Sequence, residues 1–114
     1  AEMYLIRAEA RAQLGNVSGA NSAASDINVL RNRANAPTLG TVTQNQMLTI
    51  IENERLYELA YEGHRWYDLV RTERAATVMP AFNSNWRSAY ELWPIPQREI
   101  QANPALAGNQ NPGY

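Results

Sequence analysis

Residues 54–71 read ERLYELAYEGHRWYDLVR. Glu54, Glu58 and Glu62 recur every four residues, a spacing that lines them along one side of a helix. Three like charges in a row repel unless cations stand among them. Arg55 can reach Glu58, and Arg65, Arg71 or the distant Arg7 can fold back onto the row. The expected outcome is a partly buried lattice of Glu54, Arg55, Glu58, Glu62, Arg65, Trp66, Asp68 and Arg71. It would fix one long helix against the segment that follows, since an arginine fork satisfies two carboxylate oxygens at once and polar networks specify packing geometry.

Working outward, Thr43 and Gln46 form a capping box that starts this third and longest helix. It is expected to run to about Glu62 and to stop at Gly63. Met47, Ile50 and Ile51 open its core stripe, continued by Tyr57, Leu59, Ala60 and Tyr61. A short helix covers residues 65–71, and one or two further turns lie between Glu73 and Met79, halted by Pro80. Residues 1–14 are rich in helix formers and place Ala1, Tyr4, Leu5, Ala8 and Ala12 on one face, with Gly15-Asn16 as the stop. Ser18 is the expected N-cap of a second helix through about Ala34, with Ala20, Ala23, Ala24, Ile27, Leu30 and Ala34 inside.

The chain thus reads as one all-α domain of residues 1–114. It comprises a tetratricopeptide-like helix pair (1–34), further helices (43–79) and a long irregular tail (80–114). Residues 81–114 hold four of the six prolines and no sustained period. Yet Phe82, Trp86, Tyr90, Trp93, Ile95 and Ile100 make it too apolar for disorder, so it should wrap the helices. The extended Trp93-Pro94-Ile95-Pro96 strap should place Trp93 and Ile95 on the same inward side. Asn111-Pro112-Gly113 suits a type II turn that docks Tyr114.

Composition closes several doors. A net charge of −1 gives no electrostatic grip on nucleic acid. No apolar run approaches the ~20 residues of a membrane helix. With no cysteine there is no disulfide, zinc ribbon or thiol nucleophile. Glycine loops for phosphate and the His-Glu-x-x-His and Glu-x-x-His metal motifs are absent, so no cofactor or metal is expected.

Two of the carboxylates could be weighed as a glycosidase pair, but the abundant arginines would lower both pKa values where one must be raised. His64 and Asp68, four apart, permit a hydrogen-bonded pair. A triad would need Ser84 or Ser88, and no elbow motif surrounds either. No catalytic residue is assigned. Trp86, in the polar run Asn83-Ser84-Asn85-Trp86-Arg87-Ser88, is the best local candidate for stacking on a sugar, although an indole tucked under its own loop fits the same residues.

The 54–71 block is followed by Leu92-Trp93-Pro94-Ile95-Pro96-Gln97, Glu99-Ile100, Asn103-Pro104 and Gln110-Asn111-Pro112-Gly113-Tyr114. Together these resemble the C-terminal portion of the SusD/RagB family, the surface nutrient-binding lipoproteins of Bacteroidota. The opening AEMYLIRAEARAQLG resembles the first helix of that family's tetratricopeptide-like pair. The resemblance implies a non-enzymatic protein on the outer face of the outer membrane. Such a protein captures oligosaccharides and delivers them to a TonB-dependent, SusC-like transporter. It also implies a lipid anchor on a cysteine near the mature N-terminus, so these residues are expected to be part of a larger protein, with most glycan contacts upstream. The family often carries a glycine two or three residues after the Asp-Leu-Val-Arg run, where this chain has Thr72-Glu73-Arg74.

Two rival readings follow from the residues. One is a tetratricopeptide adaptor that holds a peptide in a helical groove, which the proline strap and the Asn-Pro-Gly-Tyr ending argue against. The other is a glycoside hydrolase fragment whose turnover would vanish on Glu58→Gln. A lone hairpin leaves one apolar face uncovered, so the isolated chain is expected to be marginally stable or dimeric.

Overall fold

The structure, a computed structural model, describes residues 1–114, and all of its regular elements are helical. It divides into two compact units, Ala1–Tyr67 and Asp68–Tyr114.

The first unit is built on α1 (Glu2–Gln13), α2 (Ala23–Arg33) and α3 (Gln44–Glu58). Helix α1 packs against both others. Its buried face is Leu5, Ala8 and Ala12, where the small side chains allow a close approach, whereas Ala1 and Tyr4 stay exposed. The core joins these to Ala23, Ala24, Ile27 and Leu30 of α2 and to Met47 and Ile51 of α3. Helix α1 ends in a Schellman motif: Gly15 N–H bonds to Ala12 O and Asn16 N–H to Arg11 O, with Gly15 at φ 78°. The amide of Gln44 also donates to the last-turn carbonyls of Ala12, at 2.7 Å, and Gln13, at 3.2 Å.

Helix α2 starts four residues later than the sequence suggests. Gly19 and Asn21 both take positive φ, which no continuing helix tolerates. Ser22 is therefore the N-cap in place of Ser18, its Oγ accepting the Ser25 N–H and donating to Gly19 O. Ala20 is exposed as a result, and Ala34, the C-cap at the other end, is exposed as well. The 35–42 loop is pinned to α2, with Asn28 bonded to both backbone groups of Leu39 and Arg31 bonded to Pro37 O.

Helix α3 carries the expected capping box of Thr43 and Gln46. Its buried line is Met47, Ile51, Arg55 and Leu59, one residue per turn, with Ile50 half-buried. Tyr57, Ala60 and Tyr61 lie outside it, exposed. The helix stops at Glu58, short of Glu62, because the chain turns through Tyr61 in the left-handed region at φ 66°. Helix α4 (His64–Arg71) follows and runs into the second unit.

In the second unit α4 ends in another Schellman motif. Glu73 N–H bonds to Val70 O and Arg74 N–H to Leu69 O, and Glu73 sits at φ 57°. This is the left-handed position that glycine fills most easily. Helix α5 (Ala75–Val78) leads into a 3₁₀ turn, Met79–Ala81. The stretch expected to be irregular also holds a 3₁₀ turn at Ser88–Glu91, a short α6 (Gln97–Ala102) and a last 3₁₀ turn at Pro104–Leu106. Pieces of three to six residues are too short for a hydrophobic period to register.

Candidate functional site

The 54–71 block is an ion-pair lattice whose partners differ from those its local spacing suggests. Arg31 meets Glu54 at 2.6 Å, and Arg33 pairs with Glu58, so α2 supplies the cations for the α3 carboxylate row. Arg65 reaches Glu52 at 3.2 Å, and Arg71 bonds Asp68 at 2.9 Å within α4. Glu62 lies in the turn after α3, outside the helical row, with His64 4.0 Å away. The other ring nitrogen of His64 is 4.0 Å from Glu2. Arg55 is buried on the apolar line of α3, and Trp66 is half-buried.

The best-buried carboxylate was not singled out from the sequence. Asp26, 2% exposed, receives Arg7 through Nη2 to Oδ1 at 2.6 Å and Nε to Oδ2 at 3.1 Å, and Arg11 through Nη1 to Oδ2 at 2.8 Å. Arg7 therefore turns to α2 and not to the glutamate row. The hydrogen bond to Asp26, then its charge, raises the Arg7 pKa above the ordinary arginine value. The signal was present: Asp26 stands four residues after Ser22 and four before Leu30, on the inner face of α2. A carboxylate on that face requires cations from a neighbouring helix.

Asp26, Glu52, Glu54, Glu58 and Asp68 each pair with an arginine, whereas Glu2 and Glu62 each stand 4.0 Å from His64. No three of the His, Asp and Glu side chains gather in a metal-holding group.

The aromatic residues exchange the surroundings expected of them. Trp86 is half-buried with its Nε1 enclosed, and it meets Tyr90 edge-on at 5.8 Å between ring centres. The Arg87 guanidinium lies 4.7 Å from the centre of the Tyr90 ring. Trp93, expected to face inward, is 88% exposed. The reason is local. The backbone of residues 92–95 is held by side chains from the end of the chain, leaving the indole outside. Gln110 bonds both backbone groups of Ile95, at 2.7 and 2.9 Å, and the Asn111 amide donates to Trp93 O. The Tyr114 hydroxyl donates to Leu92 O at 3.0 Å, so Tyr114 is docked as expected. Gly113 has φ 92°, in keeping with the third position of a type II turn, and a Cβ there would stand 2.6 Å from that of Ala89.

Along residues 1–114 the chain matches the SusD family. It is 34% identical over 115 residues to SusD-like protein P38 of Formosa agariphila, covering 96% of this chain and 23% of that protein. SusD-like protein P2 of the same organism is 35% identical over 133 residues, covering 100% of this chain and 25% of P2. Among solved structures, a laminarin binding SusD-like protein superposes with a TM-score of 0.73 at 39% identity, over 99% of this chain and 22% of that one. The chain thus spans about a quarter of the length of the relatives it matches.

Proposed function

The chain belongs to the SusD family, and from that premise we propose that it is the C-terminal portion of a non-catalytic protein that binds oligosaccharide at the cell surface. In this reading the whole protein is lipid-anchored on the external face of the outer membrane and hands its ligand to a TonB-dependent, SusC-like transporter. The observation that carries it is the likeness, across 99% of the chain, to a laminarin binding SusD-like protein. The braced carboxylates add support. Glu54 and Glu58 are each held by an arginine of α2, so neither is presented free to a substrate.

Within these residues, the 83–90 loop is the proposed local contact with sugar. Trp86 would offer part of a ring face there, its N–H being enclosed. The test is affinity electrophoresis of the longer protein through gels holding laminarin, starch or other glycans. Retardation by at least one glycan, without release of shorter sugars, is expected. Free migration through the whole panel would overturn the reading. Retardation unchanged by Trp86→Ala would remove the 83–90 loop from it. Co-purification with a transporter from outer membranes tests the delivery step separately.

A further inference from the structure

We propose that Arg87 makes the 83–90 loop selective for an acidic glycan, one carrying carboxylate or sulfate groups, over a neutral one. This inference rests on the loop being a contact with sugar and adds the charge class of that sugar. Arg7, Arg11, Arg31, Arg33, Arg65 and Arg71 are each committed to a carboxylate. Arg87 is exposed, and its partner is a ring and not an anion: the guanidinium lies over Tyr90, 4.7 Å from the ring centre. Glu91, the one carboxylate between Arg74 and Arg98, is half-buried and forms no ion pair with it. Residues 83–90 themselves hold no acidic side chain, so the loop carries an uncompensated positive charge.

That cation is held in a set place. The Arg87 carbonyl accepts the Tyr90 N–H at 2.9 Å, and Trp86 meets the Tyr90 ring edge-on. Asn83 shapes the start of the loop, its side chain accepting the Asn85 N–H at 2.9 Å. Behind the loop, Ala89 lies so close to Gly113 that no Cβ fits between them. The 3₁₀ turn Ser88–Glu91 is therefore seated on the docked end of the chain. Contact with the ring engages the charge of Arg87 and leaves its five N–H donors for a ligand. That planar fork fits two oxygens of a carboxylate or sulfate at once, in bonds about twice as strong as those to a neutral hydroxyl. A guanidinium already placed on a ring also loses less freedom when the ligand arrives.

The experiment is isothermal titration of the longer protein that contains these residues with three glycans. Laminarin is neutral, alginate carries carboxylates and carrageenan carries sulfates. Alginate or carrageenan should bind roughly tenfold more tightly than laminarin, the scale of one charge-assisted bond, and the tighter of the two identifies the anion. The advantage should shrink as salt is added and disappear in Arg87→Gln, with the melting temperature and any laminarin binding unchanged. Laminarin bound as tightly as both acidic glycans would overturn this inference and leave the glycan reading standing. So would an advantage that survives Arg87→Gln, or a variant that loses laminarin and the acidic glycans alike. Failure to bind any glycan, here and in the wider panel, would remove both together.

Discussion

Glu73 occupies a left-handed backbone position at φ 57°, which costs a residue bearing a Cβ about 1–2 kcal/mol. Glycine there would relieve the strain but gain freedom in the unfolded chain worth about 0.5–1 kcal/mol. Glu73→Gly should therefore stabilise by about 0.5–1 kcal/mol in a urea melt. Thr72→Gly, one residue earlier, should destabilise, since it removes the hydroxyl bonded to Asp68 O. Glu73 was legible as the place where an expected glycine is missing; its conformation was not, because a Schellman turn involves six residues at once. Asp26 carries the opposite lesson. Its removal leaves Arg7, whose side chain is 54% exposed, free to rehydrate, so the 3–5 kcal/mol of a fully buried pair is too much. Asp26→Ala should cost about 2 kcal/mol, the value of charge-assisted hydrogen bonds. The raised Arg7 pKa adds stability below the ordinary arginine range and loses it only at still higher pH. That guanidinium therefore contributes no slope near neutrality.

At the level of elements, caps were easier to read than inner faces. Thr43-x-x-Gln46 is a local signal, and both halves of the box form. Thr43→Ala should cost about 1 kcal/mol in the same melt, and an unchanged stability would reject any role for the box. Helix α2 was harder, because Ser18 and Ser22 are equally good caps by residue type. Only the positive φ of Gly19 and Asn21 decides between them. On α3 the apolar tyrosines drew the predicted stripe one way, while the true line runs through Arg55. A guanidinium can lie along an apolar row because its stem is hydrocarbon, and composition alone does not reveal that. Gln44 likewise braces α1 from thirty-two residues away, a distance at which no local pattern speaks.

For the whole molecule, an all-α fold and membership of the family were legible from two compact sequence blocks. The direction of Trp93 was not, because it depends on residues 110–114 bonding back to residues 92–95. The exposed row of Met3, Ile6 and Leu14 on and just after α1 leads to a prediction for the 114-residue chain by itself. Its melting temperature should rise with protein concentration, as self-association links stability to mass action. A strict monomer with a concentration-independent melt would contradict this, and Met3→Glu with Leu14→Glu should restore that behaviour if the row is the contact.

The amide latch on the proline strap has a consequence in time as well as in space. Synthesis proceeds from the N-terminus at about 5–20 residues per second. Ile95 must wait for a partner 15 residues later, Trp93 for one 18 later and Leu92 for one 22 later. Until residues 110–114 have been made, the strap has nothing to close on. A nascent chain halted before Gln110 should therefore expose this segment to a protease that a chain carrying residues 110–114 resists.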